Sequence, residues 1–94
     1  SDVTQVLISN FDNVAEQYAL PLLQRLREQG IATELYPTAT KLKKQLSYAN
    51  DKGIAYVILI GSDEINSGLL TLRNMQNGEQ EKLSLEQIID RLIS

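Results

Sequence analysis

Apolar and β-branched runs, separated by polar or glycine-containing segments, divide the chain into five predicted strands. The run at residues 55–60 is continuously apolar, which is typical of a central strand covered on both faces. The run at 31–36 alternates apolar with other positions and closes at Pro37, so we expect an edge strand. The other strands are predicted at residues 3–8, 69–75 and 79–83.

A first helix is predicted from about residue 13 to Gly30, because apolar residues recur there at helical spacing. Asn13 and Glu16 have the spacing of a capping box at its start. Pro21 lies inside the pattern and predicts either a kink or a restart of the helix; both alternatives stay open. The stripe expected to face the sheet comprises Val14, Tyr18, Leu22 and Leu26, reinforced by Ala15, Ala19 and Leu23.

Two further helices are predicted, after the second strand and at the end of the chain. Thr38 and Thr40 are candidate caps for the earlier one, which Gly53 should end. Ser84 and Gln87 form a capping box for the last helix. The polar connector at residues 62–67 is long enough for one helical turn. The residues expected to face the core are Leu42, Leu46 and Ala49 in the earlier helix, and Leu85, Ile88, Ile89 and Leu92 in the last.

The order of elements predicts an α/β fold with two right-handed crossovers followed by a meander. Asn77-Gly78 favours a type I′ hairpin, in which both residues have positive φ. We therefore predict a three-layer α/β/α sandwich in a single domain over residues 1–94. Its five-stranded mixed sheet has the order 2-1-3-4-5, with strand 4 antiparallel, and it carries three main helices.

The composition narrows the possible chemistry of these 94 residues. There is no cysteine and no histidine, which excludes disulfides, the usual zinc ligand sets and the commonest general base near neutral pH. We expect no catalytic residue and no metal site in this chain. No apolar run is long enough to span a bilayer, and residues 1–3 lack the start of a targeting segment, so we expect a cytoplasmic protein without a membrane partner.

Positive charge is concentrated in one segment, although the net charge of the chain is -3. Residues 36–48 contain three lysines and no acidic residue. On a helix, Lys41, Lys44, Tyr48 and Lys52 share a stripe within roughly 80°, and Lys43 lies outside it. Such a stripe beside a helix N-terminus suits phosphate, yet on these residues alone a solvated lysine face is the favoured interpretation.

The residues that follow the strands argue against two classes of protein: P-loop nucleotide-binding proteins and phosphotransfer domains of the receiver type. Gly61-Ser62-Asp63 follows a strand but lacks the glycine spacing and terminal Gly-Lys-Ser/Thr of a P-loop. A receiver-type phosphotransfer domain needs an aspartate at the end of the third strand, where this chain has Ile60 and Gly61.

Several motifs in the correct order resemble the anticodon-binding domain of histidyl-tRNA synthetases, a domain of class IIa type. The likeness rests on residues 34–37, 41–50, 56–64, 72–75 and 78–80, and thus covers essentially the whole chain. Threonyl-, prolyl- and glycyl-tRNA synthetases share this domain. The Lys-Lys-Gln segment at residues 43–45 is what indicates the histidyl branch.

The resemblance implies recognition of the GUG anticodon of tRNA-His, as the C-terminal part of a histidine-tRNA ligase that aminoacylates this tRNA with histidine. The expected partners are the anticodon stem-loop and the catalytic core of the parent. ATP and Mg²⁺ are expected for the full-length parent and no cofactor for this domain, with dimerisation only in the parent. The alternative is a noncatalytic regulatory or accessory module for RNA binding or dimerisation.

The resemblance also implies candidate tRNA-binding residues. Glu64 and Arg73 occupy positions that commonly face anticodon bases in the wider family: Arg73 suits guanine O6 and N7, and Glu64 suits N1–H and N2–H. From the residues alone, a surface salt bridge between these two is favoured instead. Further candidates are Tyr36, Thr38 and Thr40 for stacking or hydrogen bonding a base, and Lys41 and Lys44 for phosphates.

Overall fold

Five short strands form one mixed sheet in the computed structural model, which describes residues 3–94. The strand order is β2-β1-β3-β4-β5, with β1 parallel to β2 and β3, and β4 antiparallel to β3 and β5. The predicted fold class and strand order are therefore confirmed. The strands are β1 (Val6–Ile8), β2 (Thr33–Leu35), β3 (Tyr56–Leu59), β4 (Leu70–Asn74) and β5 (Gln80–Leu83), and the helices are α1 (Asn13–Glu28), α2 (Leu42–Asp51), α3 (Ser62–Ser67) and α4 (Leu85–Ile93).

The two faces of the sheet carry two separate hydrophobic cores, because successive side chains of a strand point to opposite faces. Val6 and Ile8 of β1 belong to one core, which also receives side chains from α1, α3 and α4. Leu7 belongs to the other core, to which only α2 contributes among the helices of residues 3–94. We refer to these as the three-helix core and the α2 core.

The first helix runs from Asn13 to Glu28 with Pro21 inside it, so a restart is excluded. Its N-cap is Asp12, whose carboxylate accepts a hydrogen bond from the Ala15 N–H at 2.8 Å. The predicted Asn13–Glu16 capping box is therefore wrong by one residue. Val14 is 66% exposed rather than buried, because the stripe that contacts the sheet is centred on Ala15, Ala19 and Leu26.

The second helix begins without a side-chain cap, so the prediction that Thr38 or Thr40 caps it is wrong. Its N-cap is Lys41, which offers no acceptor. Leu42 is 38% exposed, against the expectation that it faces the core. The side of α2 that faces the sheet instead includes Gln45, which is fully buried together with Ala49.

The connection between β4 and β5 is not the predicted type I′ turn. Among residues 3–94 only glycines have positive φ, so Asn77 does not adopt the required conformation. The Asn74 side chain instead accepts hydrogen bonds from the N–H groups of Gln76 and Asn77, which favours a right-handed turn before Gly78 at φ 76°.

The last helix agrees with the sequence in each detail. Ser84 and Gln87 form the predicted capping box, with hydrogen bonds of 3.1 and 2.8 Å. The four residues predicted to face the core all pack in the three-helix core, and so does Leu83 before the helix, whereas Ile93 at its end is exposed. No helix within residues 3–94 is long and apolar enough to cross a bilayer. Ser1 and Asp2, on which the expectation about a targeting segment partly rests, lie outside the described residues.

Candidate nucleic-acid interface

An open groove runs along the α2 side of the sheet, where α2 leaves β4 and β5 uncovered. It consists of two adjoining cavities of about 440 and 540 Å³ that share Leu42. The first is lined by Phe11, Glu64, Thr71 and Lys82, and the second by Lys43 and Arg73. The groove therefore collects charged and hydrogen-bonding side chains from α2, α3, β4 and β5.

Glu64 is held rigidly in this groove and is only 9% exposed. One carboxylate oxygen, Oε1, accepts the backbone N–H of Gly61 at 2.6 Å, which fixes the first turn of α3. The other, Oε2, accepts the Thr71 hydroxyl at 2.9 Å and the ammonium of Lys82. A Cβ at Gly61 would lie 3.2 Å from Oε1, so the glycine permits this close approach.

The surroundings of Glu64 keep it ionised at neutral pH. Burial by itself would raise the pKa of the carboxyl group. The hydrogen bonds from Lys82, Gly61 and Thr71 outweigh that effect and lower the pKa from its ordinary value of 4.5 to about 2. A nearly buried, permanently charged acceptor thus faces the groove.

Arg73 lies on the same face of β4 as Thr71, two residues further along the strand. Its Nη1 donates to Gln80 Oε1 at 3.1 Å, and its buried Nε has no acceptor within the described residues. The salt bridge with Glu64 that the residues alone favoured is wrong, because Glu64 pairs with Lys82. The buried Nε–H is out of reach of another molecule, so the donors that a ligand could use are those of the two Nη groups.

The lysines of α2 divide between two sides of the helix. Lys43, which lies outside the predicted stripe of lysines, lines the groove together with Arg73. Lys41 and Lys44 are exposed but line neither of the two cavities of the groove. Lys44 shares a side of α2 with Tyr48, four residues later, whose hydroxyl donates to Glu34 of the edge strand at 2.6 Å. The structure thus places Glu64 and Arg73 in two adjoining cavities of the groove, and Lys44 lines neither of them.

The remaining candidates occupy the segment before α2. Tyr36 is 8% exposed and packs edge-on against Tyr48, with ring centroids 5.5 Å apart. Stacking of a base on Tyr36 would require this ring to leave the α2 core. Thr38 is exposed, and Thr40 is half-buried with its backbone N–H bonded to the Asn10 carbonyl oxygen at 3.2 Å.

A buried polar cluster holds that segment in place and was missed by the sequence analysis. Gln45 Oε1 accepts the Asn10 N–H at 2.9 Å, while its Nε2 donates to the carbonyl oxygens of Asn10 and Thr40 at 2.8 and 3.0 Å. Asn10 Nδ2 donates in turn to the Tyr36 carbonyl at 3.0 Å. The only signal in the sequence was a glutamine between the apolar positions Leu42 and Ala49.

Lys82 and Thr71 were also missed, and the register of the sheet explains why. Thr71 lies opposite Lys82 in the β4–β5 ladder, so both point to the α2 side of the sheet beside Glu64. Their adjacency depends on the length of the hairpin. Because the predicted two-residue turn was wrong, the sequence could not pair these two residues.

Comparisons with known proteins agree with the fold and the resemblance. The histidine-tRNA ligase of Cytophaga hutchinsonii is 50% identical over 93 residues, which are 99% of this chain and 20% of that protein. That of Porphyromonas gingivalis is 51% identical over 80 residues, 85% of this chain and 18% of that protein. The chain spans about a fifth of the length of these curated relatives.

Two solved structures show the same architecture. The crystal structure of histidyl-tRNA synthetase from Nostoc sp. PCC 7120 superposes with a TM-score of 0.91 at 26% identity, over 98% of this chain and 22% of that chain. The RNA binding domain of threonyl-tRNA synthetase from Cryptosporidium parvum gives 0.90 at 22% identity, over 98% and 23%, and shows the fold alone. The family described as the anticodon binding domain matches residues 5–94. The resemblance is thus confirmed, and the chain belongs to the anticodon-binding domain family of aminoacyl-tRNA synthetases.

Proposed function

We propose that this domain recognises the GUG anticodon of tRNA-His as the C-terminal part of a histidine-tRNA ligase. The observation that carries the proposal is that Glu64 of α3 and Arg73 of β4 line two adjoining cavities of an open groove beside a lysine-bearing helix. The relatives with the same domain are histidine-tRNA ligases, which supports tRNA-His as the partner.

The chemistry of the groove matches the edges of unpaired guanine bases. The Nη groups of Arg73 can donate to the O6 and N7 atoms of guanine. Glu64 stays ionised and can accept from guanine N1–H and N2–H. Bases in an anticodon loop are unpaired, so these edges are accessible to side chains.

In this proposal, contacts between lysines and phosphates orient the RNA on the domain. Lys41 and Lys44 are exposed near the start of α2 and are assigned to phosphates, together with Lys43 in the groove. The hydroxyl groups of Thr38 and Thr40 are assigned to hydrogen bonds with a base or its sugar. A base can stack on Tyr36 only after the ring of this residue leaves the α2 core.

The catalytic steps belong to the parent protein, which in this proposal activates histidine with ATP and Mg²⁺ in a separate core. No residue of this chain is assigned to ATP or Mg²⁺, because Gly61-Ser62-Asp63 lacks the spacing of a phosphate loop. The domain holds the anticodon so that the acceptor end reaches that core. The parent is proposed to act in the cytoplasm as a homodimer formed through its core.

A titration of anticodon stem-loop RNA tests the recognition step. We expect the wild-type domain to bind a GUG loop more tightly than a loop of the same composition in scrambled order. Arg73→Ala or Glu64→Ala should each weaken binding to the GUG loop by about 1–3 kcal/mol, because each leaves a guanine edge unpaired. Fluorescence anisotropy with labelled RNA measures the change.

Matched controls come from an ion pair outside the groove. Arg25 on α1 pairs with Glu86 on α4 at 3.0 Å, and neither residue lines the groove. Arg25→Ala and Glu86→Ala should leave the affinity for the GUG loop unchanged. Equal binding of the GUG and scrambled loops would exclude anticodon recognition, and unchanged binding of both groove variants would remove Glu64 and Arg73 from it.

A further inference from the structure

Glu64 has too few free acceptor positions to bind a guanine edge while it remains as the structure shows it. An ionised carboxylate offers about four lone-pair positions, two on each oxygen. The Thr71 hydroxyl and the Lys82 ammonium occupy Oε2, and the Gly61 N–H occupies one position on Oε1. Only one position, on Oε1, is left.

A guanine presents N1–H and N2–H side by side, so two-point recognition by a carboxylate uses one position on each oxygen. One present donor to Oε2 must therefore leave when the base arrives. This step rests on the proposed function, because it takes guanine as the base. The identity of the leaving donor follows from how firmly each of the two is held.

The two donors differ sharply in their freedom to move. Thr71 is buried in the middle of the sheet, and its short side chain cannot turn away without exposing an unpaired hydroxyl group to the core. The side chain of Lys82 lies on the edge strand β5 and is 51% exposed. Its ammonium can reach water or another anion without crossing the core, because its flexible four-carbon stem can rotate.

We propose that Lys82 is a positioning residue that exchanges partners on RNA binding. In the free domain its ammonium neutralises Glu64 and fixes the orientation of the carboxylate. When guanine occupies both carboxylate oxygens, the ammonium moves to the nearest phosphate of the bound loop. After the exchange the carboxylate keeps the donors of Gly61 and Thr71 and gains those of guanine, and Glu64 remains ionised.

The salt dependence of binding tests this exchange, because each lysine–phosphate contact releases bound counterions. Lys82→Met keeps an unbranched side chain of similar length and removes its charge. We expect the slope of log affinity for the GUG stem-loop against log salt concentration to become shallower by about 0.7. Lys82→Arg retains the charge and should restore the wild-type slope.

A matched control removes the same charge from a place outside the groove. Arg25 pairs with Glu86 at 3.0 Å, and neither residue lines the groove. Arg25→Met should keep the wild-type slope. The unfolding free energy of each variant is measured alongside, so that a loss of structure is recognised.

The possible outcomes separate this inference from the proposed function. If the wild-type domain distinguishes the GUG loop from the scrambled loop but Lys82→Met keeps the wild-type slope, the exchange is overturned while recognition stands. A loss of affinity that is equal at all salt concentrations would overturn it as well, since Lys82 would then act only through Glu64. Failure of the wild-type domain to distinguish the loops would instead refute the proposed function.

Discussion

Glu64 serves the fold and the proposed recognition with the same two oxygens. Its carboxylate joins the first turn of α3 to β4 and β5 through Gly61, Thr71 and Lys82. A nearly buried carboxylate is stable in its charged form only because donors surround it. The donor set that stabilises α3 therefore also keeps an anionic acceptor available in the groove.

The stability of the domain should depend on pH through this group. A carboxyl group whose folded pKa lies near 2 and whose unfolded pKa lies near 4.5 stabilises the fold fully above pH 4.5. That contribution is lost as the pH falls from about 4.5 to about 2. Glu64→Gln should therefore be less stable than wild type at neutral pH, with the difference shrinking across this window.

Denaturant unfolding of wild type and Glu64→Gln at a series of pH values measures that difference. The comparison isolates Glu64 because other carboxyl groups, such as Glu34 and Glu81 with their lowered pKa values, titrate equally in both proteins. A gap between the two proteins that stays constant from pH 7 to pH 2 would contradict the assignment.

Single residues were predictable only where a family position or a local motif identified them. The family resemblance identified Glu64 and Arg73 as candidate anticodon-binding residues, and both line the groove in the structure. Lys82 could not be selected, because its position beside Glu64 depends on the β4–β5 register. The preference for a Glu64–Arg73 salt bridge failed for the same reason.

The N-terminus of helix α2 lacks the side-chain hydrogen bond that usually stabilises a helix. Its N-cap is Lys41, which has extended backbone geometry suited to a capping residue but no side-chain acceptor. The first turn also contains no acidic residue, and it carries Lys43 and Lys44 instead. Positive charge near a helix N-terminus opposes the helix dipole, so this sequence favours anion binding over helix stability.

Lys41→Ser should separate those two properties. A serine N-cap accepts a hydrogen bond from the first turn, which should stabilise the domain by about 0.5–2 kcal/mol. The same change removes a cation assigned to phosphate, so affinity for the GUG stem-loop should fall. Thermal unfolding and RNA titration of the same variant measure the two effects; a variant that gains stability and keeps full affinity would remove Lys41 from the proposed interface.

The positions of the helices along the chain were predicted well. Their capping residues and the side of each helix that faces the core were predicted less well. The periodicity found α1 and α2, yet it placed the α1 cap on Asn13 instead of Asp12 and buried Val14 and Leu42, which are exposed. Adjacent polar residues with similar capping ability cannot be separated by pattern alone. Helix α4 was predicted in detail because its capping box and its apolar face agree with one another.

The two cores share the central strands, so neither can lose its packing independently. Leu7 belongs to the α2 core, and its neighbours Val6 and Ile8 belong to the three-helix core. Strand β1 pairs with both β2 and β3, which links the two faces through one set of backbone hydrogen bonds. A domain of this size and connectivity is expected to unfold as one cooperative unit.

Matched truncations on the two faces test that cooperativity. Leu26→Ala opens a cavity in the three-helix core and Leu7→Ala one in the α2 core, and both side chains are fully buried. Each should destabilise the domain by about 2–5 kcal/mol. In urea, the methyl NMR signals of both cores should disappear at one midpoint in each variant. Separate midpoints for the two faces would show two independent units.

The topology was predictable because few arrangements satisfy right-handed crossovers and short connections at once. The unequal distribution of helices between the two faces was not predictable. Neither the handedness of crossovers nor the shortness of connections specifies which face α3 joins. The three-helix core receives α3 and α4, whereas β4 and β5 remain bare beside α2.

The open groove is thus a face of the sheet that no second helix covers within residues 3–94, and none of these residues closes over it. A nucleic acid can reach its floor by simple approach, without waiting for the protein backbone to rearrange. Encounter would then be governed by diffusion and by attraction between phosphates and the lysines of α2, within a protein whose overall negative charge repels RNA elsewhere.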